Sequence, residues 1–363
     1  MKVAVYTIAL NEEQFVQRWY NSAKDADYIL IADTGSTDAT IEKALGLGIN
    51  VFSVSVKPWR FDVARNASLA LLPDDIDYCI ALDMDEVLIA GWREELEIAH
   101  SQNWTRPRYS YTWNWNDDGT PGLTYGGDKI HKRNGYMWKH PVHEVLRTDR
   151  ITEIQGWTGL QIHHHADDSK SRSQYMPLLQ LSVEEDPSDD RNAFYYAREL
   201  FNYNVLDKAA EEFKRHLSLP RALWPPERAA SMRYLAKCLP EEAEHWLKMA
   251  VEEAPGRREA IVDLAQHYYE NKQWEDSLKY AEMALEIKDK PLEFLCEAYA
   301  WGAAPFDFAS IAAYNLKMYD KSITYANEAI KIEPDNERLK NNLALSVKAT
   351  EDDDQKAKPK KLT

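Results

Sequence analysis

Two carboxylates separated by one residue, in Asp83-Met84-Asp85-Glu86, follow directly on the apolar run Tyr78-Cys79-Ile80-Ala81-Leu82. Such a run reads as a buried strand, and its C-terminal end is where open α/β sheets receive ligands. Carboxylate oxygens placed there are hard donors suited to Mg²⁺ or Mn²⁺, and such a cation can in turn hold a diphosphate. Taken alone the pattern is weak, because acidic pairs also end strands as solvated turns. The elements around it favour the chemical reading.

A first strand is expected from Val3 to Leu10, running into Asn11-Glu12-Glu13 and a helix with apolar Phe15, Val16 and Trp19. A second, from Tyr28 to Ala32, ends in Asp33-Thr34-Gly35-Ser36-Thr37-Asp38. Gly35 permits a tight turn there, and Ser36 or Thr37 can cap a helix beginning near Ala39. Val51-Phe52-Ser53-Val54 supplies a third short strand. Strands alternating with helical stretches predict an α/β unit with a parallel sheet covered by helices. Polar residues then collect at the C-terminal ends of at least three strands, as they do around nucleotides.

At this point the residues resemble a known family. Ile8-Ala9-Leu10-Asn11-Glu12-Glu13, Ala32 to Asp38, Ala64-Arg65-Asn66 and Leu82 to Glu86 have the order and spacing of glycosyltransferase family 2. Four blocks are far more specific than any one of them. The resemblance implies a GT-A fold with a mostly parallel sheet, a nucleotide-sugar donor and an inverting, metal-dependent transfer. It implies that Ala9, Asn11, Asp33, Arg65, Asp83 and Met84 contact the nucleotide. Asp33 would accept a hydrogen bond from the base, commonly uracil N3, which points to a UDP-sugar; equally, it suits an Asx turn. Arg65 would lie near the diphosphate, although a surface acid could also claim it. Asp85 would ligate Mn²⁺ or Mg²⁺ directly, with Asp83 on the ribose or at the metal, and Glu86 just behind.

A further metal ligand is expected from Ile162-His163-His164-His165. Strand geometry sends His163 and His165 to one face and His164 to the other; His164 is favoured, and all three stay open. The implied reaction needs a general base, for which Glu144 in Pro141-Val142-His143-Glu144 is the first candidate. His143 would orient it or act in its place. Alternation in Tyr109-Ser110-Tyr111-Thr112-Trp113-Asn114-Trp115 predicts a strand with one aromatic face, read mainly as core and alternatively as an acceptor-sugar platform.

After Asp186-Pro187-Ser188 the pattern becomes continuously helical. Ala209, Ala243 and Ser277 lie 34 residues apart, as do Phe213, Leu247 and Ala281, and Ala197, Ser231 and Ala265. That period is the one of tetratricopeptide repeats, helix pairs that bury a core only by stacking. Ser277-Leu278-Lys279-Tyr280-Ala281 recurs at Ser322-Ile323-Thr324-Tyr325-Ala326, an offset of 45, so an insert is expected near Trp301 to Phe308. The expected organisation is a GT-A domain over 1–186, a tetratricopeptide-like solenoid over 187–346 and an unstructured tail over 347–363. The repeats could bind a protein partner, self-associate or steady the first domain.

The 60 acidic against 44 basic residues give a net charge of −16, which argues against non-specific adhesion to nucleic acid or anionic lipid. The three cysteines do not suggest a disulfide framework, and no run is apolar enough to span a membrane. A strand starting almost at Met1 leaves no signal peptide to expect, so a cytoplasmic location is predicted. The acceptor stays open among a glycan, a lipid-linked sugar, a protein and a modified nucleic-acid base. One rival reading is a catalytically inactive scaffold working through its repeats. Another is a nucleotidyltransferase, against which the first loop, acidic and without glycine, counts.

Overall fold

The structure is a computed structural model that describes residues 1–167 and 175–357, with side chains as far as residue 353. Its contacts divide the chain into two compact units, Met1–Asp186 with Leu292–Phe294, and Pro187–Pro291 with Leu295–Thr363.

The strands of the first unit begin with β1 (Val3–Ala9), β2 (Tyr28–Asp33), β3 (Asn50–Ser53), β4 (Tyr78–Ala81) and β5 (Glu86–Leu88). There follow β6 (Arg106–Thr112), β7 (Thr124–Gly127), β8 (Ile130–Lys132), β9 (Met137–Lys139), β10 (Val145–Arg147) and β11 (Gln155–His164). Its helices are α1 (Val16–Ala23), α2 (Thr40–Gly46), α3 (Phe61–Ala70), α4 (Trp92–Ser101) and α5 (Tyr175–Glu185). One sheet has the order β3-β2-β1-β4-β8, its first four strands parallel and β8 antiparallel to β4. A second has the order β5-β11-β6-β7, in which only the β11–β6 pairing is parallel. The expectation of a mostly parallel sheet therefore holds for the first sheet and fails for the second. The reason is local: β6 returns through a turn at Asn116-Asp117-Asp118-Gly119 to pair with β7, and such a short connection can only give antiparallel strands.

β1 is buried on both faces because its alternate residues enter two different cores. Val3, Val5 and Ala9 pack with Val16 and Trp19 of α1, while Ala4 and Tyr6 pack with Leu69, Leu72 and Trp138. Going from β1, the chain passes through α1 to β2 on one side, and later through α3 from β3 to β4 on the other. This reversal opens a crevice at the C-terminal ends of β1 and β4. Asp83-Met84-Asp85 is the short corner that carries the chain from β4 in one sheet into β5 in the other.

Gly127, at the end of β7, has no room for a side chain. A Cβ there would lie 2.2 Å from the ring of Tyr109, itself only 1% exposed and unable to yield. Gly127→Ala is expected to destabilise the unit by about 1–3 kcal/mol, read as a lowered urea midpoint with an unchanged slope.

The second unit is a helical repeat. Its helices are α6 (Asp190–Asn202), α7 (Leu206–Ser218), α8 (Pro225–Cys238), α9 (Ala243–Glu253), α10 (Arg258–Glu270) and α11 (Trp274–Glu286). They continue as α12 (Ala298–Trp301), α13 (Ala304–Asn315), α14 (Tyr319–Ile332) and α15 (Glu337–Ala357). The residues that recur in sequence are the ones that close the core: Ala197, Ala209, Phe213, Ser231, Ala265, Ser277 and Ala281 are all fully buried. Ser277 Oγ donates to the Ala265 carbonyl at 3.0 Å, and Ser322 Oγ repeats the bond to Ser310 at 2.8 Å. Asn204, Lys272 and Lys317 take the same left-handed conformation in the turn after the first helix of their pairs.

Two expectations are corrected here. The insert lies upstream of Trp301: residues 288–297 are the non-helical stretch, whereas Ala304 to Phe308 open α13 with Pro305 in its first turn, where a missing N–H costs nothing. Lys290-Pro291 breaks the helical pattern there. Likewise, residues 347–357 of the expected tail continue α15, while 358–363 lie outside the described residues.

Candidate functional site

The register of β1 against β2 sets Ala9 beside Asp33, and the loops that follow are laced together. Asn11, with a left-handed φ of 55°, offers Oδ1 to the Thr37 N–H at 2.8 Å, and its own N–H reaches Ser36 Oγ at 2.9 Å. Thr34 donates both N–H and hydroxyl to the Ala9 carbonyl, each at 2.9 Å. Asp33 accepts the N–H groups of Gly35 at 3.0 Å and Ser36 at 3.1 Å, so it forms the Asx turn. Neither Ser36 nor Thr37 caps the next helix; Asp38 takes the Thr40 N–H at 2.9 Å instead. The side chains of Ala9 and Met84, 3% and 2% exposed, belong to the core, so a nucleotide contact at these two positions would be made by the backbone.

On the other side of the crevice α3 presents Arg65. The next residue, Asn66, grips β9 through both its amide groups, donating to the Trp138 carbonyl and accepting its N–H, each at 2.9 Å. This clamp brings the chain after β9 back over α3, and Glu144 meets Arg65 Nε in a direct ion pair. Arg65 Nη2 also holds Asp83 Oδ1 at 2.7 Å. Lys129 stands on the far side of Asp83, with Nζ 2.6 Å from Oδ2 and 2.9 Å from Glu86 Oε1. Glu86 is 1% exposed, accepts the Asp83 N–H at 2.8 Å and takes the Tyr111 hydroxyl at 2.7 Å. The result is a run of alternating charge, Glu144–Arg65–Asp83–Lys129–Glu86.

The charge states follow from this order. Burial works against the Asp83 carboxylate, but Arg65 and Lys129 hold it well below the ordinary range. For Glu86 burial wins over Lys129, and its carboxyl is pushed up. Beneath the run, Trp138 donates to the Tyr6 hydroxyl at 2.9 Å, which lies 3.1 Å from His131. Burial keeps that imidazole neutral, its pKa lowered to about 3.

Asp85 faces the other way. Because β5 pairs antiparallel with β11, Glu86 lies opposite His164, and Asp85 Oδ2 comes 3.3 Å from His164 Nε2. Alternation along β11 sets the ring of His163 edge-on against Trp115, while His165, just past the strand, stacks on Trp115 and donates its N–H to the Asp85 carbonyl at 2.8 Å. Asp85 and His164 are thus the candidate ligands that lie within reach of each other, while Asp83 is engaged by Arg65 and Lys129 and the rings of His163 and His165 lie against Trp115.

Whether Asp85 and His164 fit Mn²⁺ or Mg²⁺ can be judged from their donors. His164 Nδ1 lies 2.8 Å from the Trp113 carbonyl, the arrangement that turns an Nε2 lone pair outward towards a cation. The 3.3 Å separation also suits two neighbouring ligands of one ion at about 2.1 Å each. The pair fits. Among the described residues no group of three His, Cys, Asp or Glu side chains suited to a metal occurs, so remaining positions would fall to water and a phosphate ligand.

Glu144 keeps one oxygen on Arg65; among the described residues no hydrogen bond reaches Oε2, which leaves it able to accept a proton. His143, left-handed at φ 51°, packs its ring edge on Tyr175. Of the aromatic strand, Tyr109 and Tyr111 are core, whereas Trp113 is 38% exposed and stacks on His164 at 4.4 Å. Lys129 was missed by the reading of the sequence. A single lysine between Asp128 and Ile130 carries no motif, and only the pairing of β8 with β4 brings it to Asp83.

No protein-family model matches the chain, and a search of curated proteins finds no match. Solved structures similar to it include the C-terminal part of a TPR repeat-containing protein from Cytophaga hutchinsonii, with 14% identity and a TM-score of 0.40 over 50% of this chain and 67% of that one. PilF of Pseudomonas aeruginosa shares 12% identity at a TM-score of 0.38, over 46% of this chain and 72% of that one. Yeast Tom70 shares 18% identity at 0.37, over 52% of this chain and only 38% of that one. These are distant likenesses to helical-repeat proteins and carry no argument about activity. None bears on the first unit. Among the described residues no helix is long and apolar enough to cross a membrane.

Proposed function

We propose that the first unit is an inverting, metal-dependent glycosyltransferase of the GT-A type, taking its sugar from a nucleotide diphosphate donor, UDP-sugar first among them. The observation that supports this most is the convergence, at the reversal between β1 and β4, of a cation-ready pair, Asp85 and His164, with the two cations that flank Asp83. A bound Mn²⁺ or Mg²⁺ would there supply charge neutralisation for the departing diphosphate. Arg65 faces the same charge from the opposite wall, and the Asx turn at Asp33 shapes the end of the crevice that would take the base. Glu144, fixed by Arg65, is the residue in place to accept the proton of an acceptor hydroxyl.

The test is to incubate the whole chain with Mn²⁺ and each common nucleotide-diphosphate sugar and to measure nucleoside diphosphate release. One donor should be consumed, and chelation should stop it. No release from any donor, with or without added glycans, lipid-linked sugars, proteins or nucleic acids, would overturn the reading. Glu144→Gln keeps a partner for Arg65 but removes the base. It is expected to lower kcat by about 10²–10⁴-fold with donor affinity little changed, and an unchanged kcat would leave Glu144 only a positioning role.

A second reading is favoured by the helical repeat itself: a protein-binding scaffold whose first unit no longer turns over. Stacked helix pairs present extended surfaces to partners. The two readings part on metal-dependent nucleotide binding, which the scaffold has no need of. A nucleotidyltransferase is not supported, since the loop after β1 is tied down by Ser36, Thr37 and Thr40 and carries no basic residue.

A further inference from the structure

We propose that Lys129 is a second diphosphate-binding cation, held beside Arg65 by the carboxylate they share, Asp83. The inference rests on the glycosyltransferase reading of the site and adds to it a binding residue with no counterpart in the sequence motifs.

β8 pairs antiparallel with β4, Ile130 opposite Ile80, and the Lys129 carbonyl accepts the Ala81 N–H at 3.1 Å. This fixes the lysine backbone next to the last residues before the acidic corner. Its Nζ then spends two donors on Asp83 and Glu86, and the side chain is still 26% exposed. An ammonium has three donors, so one is left for a ligand.

The neighbouring guanidinium has the same unmet capacity. Arg65 Nη1 is buried and makes no hydrogen bond among the described residues, although Nε and Nη2 are both engaged. A buried charged donor without a partner is costly and rare, and a ligand oxygen would satisfy it. Asp83 bridges the two cations through separate oxygens, Oδ1 to Arg65 and Oδ2 to Lys129. Arg65 Nη1 and the third N–H of Lys129 are the donors left over on these two cations, and a diphosphate, with its several oxygens, can meet both. Asp83 is then the counter-ion that spaces the pair, which is also why its oxygens are not offered to a metal. The cation falls to Asp85 and His164, on the other side of the corner.

The experiment separates the two cationic elements by using pyrophosphate as the probe. Binding of pyrophosphate to the whole chain is measured by calorimetry in the presence of a chelator, and Mn²⁺ binding is measured separately by electron paramagnetic resonance. Lys129→Met is expected to weaken metal-free pyrophosphate binding by about ten- to a hundred-fold while leaving Mn²⁺ affinity within about threefold. Lys129→Arg should restore most of the pyrophosphate affinity, which a purely structural loss would not allow. Asp85→Asn should give the reverse pattern, losing Mn²⁺ and keeping metal-free pyrophosphate. Unchanged pyrophosphate affinity in Lys129→Met, with only a lowered melting temperature, would overturn the proposal and leave the glycosyltransferase reading standing. Failure of the unaltered chain to bind either probe would overturn both.

Discussion

Asp85→Ala is expected to abolish Mn²⁺ binding and to lower turnover about a thousandfold or more, with the fold intact. Asp85 is the better of the two candidate ligands to remove. Its side chain is 24% exposed, whereas His164 is 8% exposed, its Nδ1 lies against the Trp113 carbonyl and its ring stacks on Trp113. Loss of the carboxylate leaves no large cavity and costs His164 Nε2 one contact, so the melting temperature should fall only slightly. His164→Ala should lose the same activity with a larger cost in stability. Turnover of Asp85→Ala within a few fold of the unaltered chain would remove the cation from the site. The reaction would then have to rely on Arg65 and Lys129 for charge neutralisation.

Arg65→Met should have the largest effect on stability of any change in the crevice, because Arg65 holds the carboxylates of both Glu144 and Asp83 in place. Glu144 is 11% exposed and Arg65 itself 7%, so removing the guanidinium strands partly buried charge where water reaches it poorly. Breaking such a pair from one side costs about 3–5 kcal/mol, and a urea titration would show it. The second arm is a double substitution. In Arg65→Met with Glu144→Gln one of the stranded charges is gone, and the double variant should be more stable than Arg65→Met alone by about 1–2 kcal/mol. Simple additivity of the two losses would mean that the ion pair does not bear on stability, contrary to its position. Donor binding should fall in both variants if the same guanidinium receives the diphosphate as proposed.

How much of this could be read from the residues depends on the range of the contacts involved. β1, β2 and β4 are legible because parallel strands buried on both faces need near-continuous apolar runs, and Val3 to Ala9 and Tyr78 to Ala81 supply them. Strand parity also suffices to separate His164 from His163 and His165, although it could not say which side met Asp85. That depended on β5 pairing with β11, a contact between segments almost eighty residues apart in sequence. The same holds for Glu144 and Arg65, which are brought together by the Asn66 clamp on β9 and by nothing in either local sequence. Asp33 illustrates a different limit. Its position at the end of β2 was clear, but an Asx turn and a base contact ask for the same residue in the same place, and the structure shows the turn.

The repeats were legible for a simpler reason, since small residues at a fixed period are what close packing of helix pairs demands. Ser277 and Ser322 even keep their hydrogen bonds across the insert. The place of the insert is harder to read, because Pro305 lies in the first turn of α13, where proline is tolerated, and so does not mark a loop. The acidic run at Glu351 to Asp353 continues α15, so its lack of apolar periodicity marked an exposed helix face and not the absence of a helix.

The central claim is that the crevice between β1 and β4 receives a nucleotide diphosphate together with a divalent cation. Its most direct test is a calorimetric titration of the purified chain with uridine, guanosine, thymidine, cytidine and adenosine diphosphates, each with and without Mn²⁺. One nucleotide, expected to be UDP, should bind, and Mn²⁺ should tighten it clearly. A folded chain that binds none of the five under either condition would contradict the account and leave the helical repeat as the working part of the protein.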